Sequence, residues 1–170
     1  MTGTTRSDVS VDGFNALPEA EASRRLLTCL AVPRWAAEVV EGRPYPDAAE
    51  LFARAEQAAS ELSDAELHAA LDRHPRIGER AGAGHDAEFS RQEQAAVDQN
   101  DAAVIAALAD GNQQYEKRFD RVFLIRAAGR SSAEILAELR RRLDNDDTTE
   151  RSETVAQLRE IAMLRLEQLL

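Results

Sequence analysis

Cysteine is nearly missing from this sequence, because Cys29 is the only one among 170 residues. A single thiol cannot form an intramolecular disulfide, so packing must hold the fold, and a reducing compartment fits this composition. Cys29 lies in the apolar run 26–32, where no neighbour in sequence would polarise a thiol. We therefore interpret Cys29 as a buried packing residue and not as a nucleophile.

Positive charge is also scarce, with 21 Lys and Arg residues against 31 Asp and Glu residues and a formal net charge of −10. This balance argues against binding to nucleic acid or to anionic membranes, and leaves a small molecule or a protein as the expected partner. The first residues lack the apolar core of a signal peptide, and the end at Leu170 is not a peroxisomal signal. We expect a cytoplasmic protein.

Strand-like patterns are rare, and only residues 122–125 form a short apolar run of that kind. Because the run is isolated, we interpret it as a buried extended segment or as the start of a helix. Helical spacing dominates elsewhere, so we predict an all-α, single-domain bundle of about seven to eight helices over residues 13–170. Residues 1–12 are mostly polar and are expected to form a disordered tail.

Capping sequences and helix breakers set the predicted helix limits. Ser63 with Glu66 and Ser131 with Glu134 have the Ser-x-x-Glu pattern of a capping box, and Gly111 is expected to separate two helices. The predicted helices cover approximately residues 18–31, 33–42, 47–60, 63–73, 90–109, 112–119, 131–143 and 149–169.

The first candidate site residue is His74, which lies in the sequence Arg-His-Pro-Arg-Ile-Gly at residues 73–78. Pro75 cannot join a helical hydrogen-bond ladder, and it restricts the preceding residue to an extended or turn backbone. His74 should therefore lie at a helix exit, where an imidazole that titrates near neutral pH suits acid-base chemistry. The alternative is a surface histidine that the helix dipole favours.

A second candidate group is the sequence Ser-Arg-Gln-Glu-Gln at residues 90–94. Ser90 and Glu93 match a capping box, which is one interpretation of the pair. Ser90, Glu93, Gln94 and Val97 are also spaced at i, i+3, i+4 and i+7, so polar side chains continue an apolar helix face. A carboxylate and an amide that face inward need partners, and a polar ligand pocket would provide them.

The terminal helix has one charge among its inward-facing residues. Arg165 falls within an apolar stripe formed by Val155, Leu158, Ala162 and Leu169. Arg165 could extend to solvent, pair with Glu93 or bind the carboxylate of a substrate, for which a planar guanidinium is well suited.

Two alternatives from other functional classes remain open. One is a metal-dependent hydrolase using His68, His74 and His85, although histidines six and eleven residues apart match no recognised zinc-site spacing. The other is a non-catalytic helical interaction module, in which Ser90 and Glu93 only cap a helix and His74 is only exposed.

Five motifs, taken together and in this order, carry a specific resemblance. They are CLAVPRW at 29–35, HPRIGE at 74–79, SRQEQ at 90–94, GNQQY at 111–115 and FLIRAAGRS at 123–131. From about Phe14 to Leu170 the chain resembles the bacterial branch of the 2-oxo-4-hydroxy-4-carboxy-5-ureidoimidazoline (OHCU) decarboxylase family. The resemblance implies an all-helical enzyme, with no cofactor or metal, that converts an unstable product of urate oxidation to (S)-allantoin.

The resemblance also implies the residues of the site. His74 matches the catalytic histidine of the family, and Glu93 matches the carboxylate close to it. Residues 123–127 match a segment that meets the substrate largely through its backbone. The implied substrate-binding set is Pro75, Ser90, Arg91, Gln92, Gln94, Phe123, Leu124, Ile125, Arg126, Ala127 and Arg165.

One position departs from the family pattern, since Asp120 stands where a glycine usually follows Lys/Arg-Phe. If this position needs a positive φ, aspartate tolerates it better than most residues, so we expect the site to survive. The resemblance further implies a ureide substrate, functional coupling to urate oxidase and hydroxyisourate hydrolase, and compatibility with a homodimer.

Overall fold

A computed structural model describes residues 10–78 and 101–170 of the chain. Within these two ranges the backbone forms eight helices and no strand, which confirms the predicted all-α class and helix number. The helices are α1 (Val11–Ala16), α2 (Glu19–Cys29), α3 (Pro33–Glu41), α4 (Ala48–Ala58), α5 (Asp64–Leu71), α6 (Ala102–Phe119), α7 (Ser132–Arg142) and α8 (Asp147–Leu169).

The beginning of the chain contains a short helix that the sequence pattern did not predict. Of the tail expected over residues 1–12, residues 1–9 lie outside the described residues. α1 begins at Val11, and the Ser10 hydroxyl caps it by accepting a hydrogen bond from the Gly13 N–H at 3.2 Å. Leu17 then adopts an extended backbone, as expected before a proline, and α2 follows Pro18.

The described chain divides into two compact units, of which the first comprises residues 10–62 and 159–170. Its core contains Trp35, which is fully buried and donates a hydrogen bond from Nε1 to the Ala55 carbonyl at 2.8 Å. Cys29 is 2% exposed, so the prediction that it is a packing residue is confirmed.

The second unit comprises residues 63–158 and contains α5, α6, α7 and the first part of α8. The capping boxes predicted at Ser63 and Ser131 are both present. Its apolar core joins a loop residue, α6, the segment that follows α6, and α7. The core residues are Ile77, Leu108, Tyr115, Phe119, Phe123, Ile125, Ala127, Ile135 and Leu139.

Helix α6 corrects two of the predicted helix limits. The Asp101 backbone is not helical, and its carboxylate accepts hydrogen bonds from the first N–H groups of α6, so no helix runs from residue 90 through residue 109. The break predicted at Gly111 is also wrong, because α6 continues to Phe119. A Cβ atom at Gly111 would lie 2.5 Å from Leu139 Cδ2, so the glycine allows α7 to pack closely on α6.

After α6 the chain forms a turn and an extended segment. Asp120 ends α6 in the left-handed region, with φ 55° and ψ 38°, so the position does need a positive φ. Residues 122–127 are extended and non-helical, and the side chains of Phe123, Leu124 and Ile125 are at most 5% exposed. Of the two interpretations of this run, the buried extended segment is therefore confirmed. No described helix combines the length and the apolar composition that are needed to cross a bilayer.

Candidate active site

His74 lies at the head of a loop that leaves the end of α5, as the sequence predicts. α5 ends at Leu71, and the His74 N–H donates a hydrogen bond to the Leu71 carbonyl at 3.0 Å. His74 and Pro75 are both partly buried, so the imidazole is neither sealed in the core nor on the open surface. Partial burial of this kind suits a group that must both meet a substrate and exchange protons.

The last described residues of this loop are held by two side chains of α6. Asn112 Nδ2 donates a hydrogen bond to the Ile77 carbonyl at 3.1 Å, and both groups are buried. Arg76 forms a two-pronged ion pair with Glu116, with distances of 2.5 Å from Nε and 3.2 Å from Nη2. The described part of the loop is therefore fastened by α5 at His74 and by α6 at Arg76 and Ile77.

A cavity of about 300 Å³ borders these two fastenings. Its lining includes Ile77, Gly78, Asn112 and Glu116. The cavity reduces the packing contact between the loop and α6. A small number of polar contacts therefore contributes, together with apolar packing, to keeping the loop against α6.

The segment 123–127 is fixed through its backbone by two side chains that follow it in sequence. Its Leu124 carbonyl accepts a hydrogen bond from Arg142 Nη1 at 2.7 Å. The Arg126 N–H donates a hydrogen bond to Gln157 Oε1 at 2.8 Å. These two contacts hold the segment extended without a neighbouring strand.

Ile125 lies between these two fastened residues and is 5% exposed. Its N–H and its carbonyl make no hydrogen bond with any residue in the described ranges. The N–H and carbonyl of Phe123, which is 1% exposed, likewise make no hydrogen bond within the described ranges. Buried backbone groups are nearly always paired, so the peptide groups of Phe123 and Ile125 are candidates to bind polar atoms of a ligand.

A buried polar network holds Arg142 in place. Its guanidinium, which is 1% exposed, donates from Nε at 2.8 Å to the Glu150 carboxylate, which is fully buried. The Tyr115 hydroxyl donates to the same carboxylate at 2.5 Å, and Asn145 Nδ2 donates to its other oxygen at 3.0 Å. Burial and the adjacent Glu150 raise the pKa of Tyr115 to about 12, so the phenol keeps its proton at neutral pH.

Helix α6 is the common support of the His74 loop and of the extended segment. Asn112 binds the loop, and the Tyr115 ring packs edge-on against Phe123 with 5.2 Å between the ring centroids. Asn112 and Tyr115 are separated by roughly 4.5 Å along the helix axis. Since both contacts start from one rigid helix, the loop and the segment keep a defined relation to each other.

Arg165 belongs to the first unit and is 1% exposed, so it faces inward as its position in the apolar stripe predicted. Arg165 Nη1 donates a hydrogen bond to the Thr28 carbonyl at 3.1 Å, which excludes an extension to solvent. Burial raises the pKa of the neighbouring Cys29 to about 12, and the positive charge of Arg165 opposes this rise only in part.

Several predicted site residues lie outside the described residues, namely Ser90, Arg91, Gln92, Glu93, Gln94 and, from the metal alternative, His85. Their roles stay predictions. His68 lies on α5 and is exposed. Among the described residues, no group of three or more His, Cys, Asp or Glu side chains could hold a metal ion.

Sequence reasoning did not identify the side chains that support the candidate site. Asn112 and Tyr115 are part of the motif GNQQY, so a signal for them was present without an assigned role. Arg142 and Glu150 lie at the end of one helix and the start of the next, where charged residues usually face solvent. Only the packed structure shows that this pair is buried.

A comparison with known families identifies the family of this chain. The family model for OHCU decarboxylase matches residues 15–167 of the chain. The chain belongs to the OHCU decarboxylase family. The match includes the His74 loop, α6, the segment 123–127 and nearly all of α8, so all the described parts of the candidate site are parts of the OHCU decarboxylase domain.

Curated relatives agree with this assignment. The 2-oxo-4-hydroxy-4-carboxy-5-ureidoimidazoline decarboxylase of Amia calva is 30% identical over 141 residues, which are 81% of this chain and 81% of that protein. The uric acid degradation bifunctional protein of Bacillus sp. (strain TB-90) is 28% identical over 138 residues, or 79% of this chain. The uric acid degradation bifunctional protein TTL of Arabidopsis thaliana is 30% identical over 104 residues, or 59% of this chain. The matched regions span only 27% and 32% of these two bifunctional proteins.

Two solved structures share the fold of the chain. A crystal structure of OHCU decarboxylase in the presence of (S)-allantoin has a TM-score of 0.70 and 24% sequence identity, and the match covers 84% of this chain and 94% of that one. The crystal structure of (S)-allantoin synthase also has a TM-score of 0.70, with 17% identity and coverage of 95% and 54%. At these sequence identities, the two structural matches establish the helical fold alone.

Proposed function

We propose that this chain is a cofactor-free carboxy-lyase that converts 2-oxo-4-hydroxy-4-carboxy-5-ureidoimidazoline to (S)-allantoin in urate degradation. The observation that carries the proposal is the family match over residues 15–167, together with a decarboxylase relative matched over 81% of its length. The acidic composition agrees with a small-molecule substrate, because a net charge of −10 disfavours binding to nucleic acid.

In the proposed reaction, the bond between the ring carbon and its carboxylate breaks and CO2 leaves. The electron pair of that bond moves into the adjacent imidazoline system. A proton then arrives on one face of the neighbouring carbon, which carries the ureido group, and so gives a single enantiomer. The hydroxyl on the carbon that lost CO2 gives up its proton and becomes a carbonyl. A general acid or base must therefore be held on one side of the substrate.

His74 is the proposed acid-base residue, acting on the substrate hydroxyl or on the developing carbanion. Its place in a loop that is fastened at the His74 N–H and again at the Ile77 carbonyl supports this role, since a proton donor must be held in a defined position. Glu93 would orient the imidazole and adjust its charge, and Pro75 would border the substrate. Positioning of this kind contributes several kcal/mol, roughly 3 to 4 for one preorganised donor in other enzymes.

The ring and ureido groups of the substrate are rich in hydrogen-bond donors and acceptors. The proposed partners include the peptide groups of the segment 123–127, and the N–H and carbonyl groups of Phe123 and Ile125 that make no hydrogen bond within the described ranges support this assignment. Ser90, Arg91, Gln92 and Gln94 would complete the binding set.

Arg165 is the proposed partner of the substrate carboxylate. A buried guanidinium retains its charge and attracts an anion strongly where water is scarce. This assignment rests on the inward orientation of Arg165 and on the sequence around it.

The test of this proposal is a coupled assay. Urate oxidase and hydroxyisourate hydrolase generate the unstable intermediate from urate, the chain is added, and circular dichroism follows the optical activity of allantoin. We expect a fast single-enantiomer signal that is lost in His74→Asn and retained in His68→Asn, a matched change of an exposed histidine on the preceding helix. Growth of the signal only at the uncatalysed rate with folded protein would contradict the proposal and favour a non-catalytic module.

The same assay tests functional coupling to the two enzymes that supply the substrate. If the chain acts directly behind hydroxyisourate hydrolase, its addition shortens the lag before allantoin appears. A homodimer, which the family also suggests, would show a light-scattering mass near twice the 18.7 kDa of one chain.

A further inference from the structure

We propose that Asn112 is a positioning residue, which holds the loop that carries His74 in place through the Ile77 carbonyl. The inference rests on the proposed function, because it gives Asn112 a role in the turnover that His74 performs. Asn112 lies on α6, and its side chain makes no hydrogen bond to His74 or to Pro75.

The stretch from the end of α5 to Ile77 is short, so fixing the Ile77 carbonyl restricts the backbone on both sides of His74. It leaves α5 at Leu71, and the His74 N–H remains bonded to the Leu71 carbonyl at 3.0 Å. The Asn112 bond at 3.1 Å holds the carbonyl of the residue three positions after His74. Gly78 follows with φ +88°, so the chain turns immediately beyond the fastening.

Two side chains of α6, Asn112 and Glu116, hold the loop, and exposure to solvent indicates which of their contacts is the stronger. In the Arg76–Glu116 pair, the side chains are 47% and 28% exposed, so water and salt weaken their attraction. Asn112 is 4% exposed and Ile77 is 7% exposed, so their hydrogen bond is shielded from water. The amide of Asn112 is therefore the stronger fastening.

Helix packing alone does not account for an asparagine at this position. Within the described residues, Asn112 Oδ1 is buried and has no hydrogen-bond partner. A buried acceptor without a partner lowers stability relative to an apolar side chain of the same shape. Asparagine also has a lower helix propensity than leucine. The asparagine provides an N–H donor to the Ile77 carbonyl, which an apolar side chain at this position would lack.

The experiment compares Asn112→Leu with Gln114→Leu in the full chain. Asn112→Leu keeps the approximate shape and removes the donor, whereas Gln114 is exposed on the same helix and bonds only to Asp110 among the described residues. With the coupled assay, we expect kcat to fall roughly 10- to 100-fold in Asn112→Leu with KM within about threefold, because small misplacement of a reacting group has costs of this order. Gln114→Leu should retain the parent kcat.

Stability measurements separate positioning from folding. Thermal unfolding is measured for each variant, and Asn112→Ala serves as a second variant if Asn112→Leu does not fold. A kcat within about twofold of the parent value in either folded variant would overturn the inference. So would a loss of activity that follows the unfolded fraction in both variants, since Asn112 would then be a purely structural residue.

Nuclear magnetic resonance of the imidazole provides a readout that does not need turnover. The chain has three histidines, so the His74 ring signal can be assigned by comparison with His74→Asn. We expect the His74 signal and its pH titration to change in Asn112→Leu and to stay the same in Gln114→Leu. If the parent chain shows no turnover, the proposed function fails. An unchanged His74 signal in Asn112→Leu would separately overturn the role of Asn112.

Discussion

Removal of the buried guanidinium of Arg142 should strongly reduce the free energy of unfolding. Arg142→Met keeps a long apolar side chain but leaves the Glu150 carboxylate, which is fully buried, without its cation. It also removes the donor to the Leu124 carbonyl at 2.7 Å. Breaking one partner of a buried ion pair costs about 3–5 kcal/mol, so the loss should lie in this range.

Chemical denaturation with urea, followed by circular dichroism, measures this loss. A decrease of this size corresponds to a fall in Tm of roughly 6–20 °C for a chain of this length. Arg141→Met is the matched control, because Arg141 is the adjacent residue, is 49% exposed and pairs with Glu138 and Glu153 at the surface. The control should lose only about 0–1 kcal/mol.

A double variant tests the physical reason for the loss. Arg142→Met combined with Glu150→Leu removes both charges, so it should recover most of the stability that the single change loses. If Arg142→Met loses no more than Arg141→Met, the idea that this network supports the segment 123–127 is refuted. The idea is also refuted if the free energies lost by the two single changes simply add in the double variant, so that it is less stable than Arg142→Met.

Three further outcomes follow from the structure. His74→Asn should abolish allantoin formation with an unchanged Tm, and a variant with near-parent turnover would remove His74 from the mechanism. The Cys29 thiol, whose pKa is raised from 9.0 to about 12, should react with a thiol reagent at pH 8 only after unfolding, because this rise lowers its thiolate fraction about a thousandfold. Fast labelling of the folded chain would contradict this burial. Gly111→Ala should lower the free energy of unfolding by about 1–3 kcal/mol despite the higher helix propensity of alanine, since the new Cβ would meet Leu139 Cδ2 at 2.5 Å. A gain in stability in urea denaturation would show that α7 can move away at little cost.

Much of the local structure follows from short-range rules. Both capping boxes were predicted because a serine and a glutamate three residues apart satisfy the free N–H groups of a helix start without help from elsewhere. The helix exit at His74 was predicted because Pro75 acts only on its immediate neighbours. A positive φ at Asp120 was considered only as a condition, from the glycine of the family pattern, and the structure meets this condition.

The errors arose where packing between helices outweighs local preference. Gly111 was expected to break a helix, since glycine has a low helix propensity, but close approach of Leu139 makes its missing side chain useful inside α6. The start of α6 was placed too early because its apolar periodicity does not show that Asp101 acts as a cap. α1 is only six residues long, which is too short for periodicity to reveal.

The amino-acid sequence alone determined the helical class, most helix limits, a candidate acid-base histidine and the family. It could do so because motifs and caps act over a few residues. Tertiary structure decided that Asn112 binds the loop of His74, that Arg142 and Glu150 are buried, and that Arg165 donates to the Thr28 carbonyl. These contacts join residues that are far apart in sequence or that look like ordinary surface charges. Their energies come from exclusion of water, which exists only after the helices have packed.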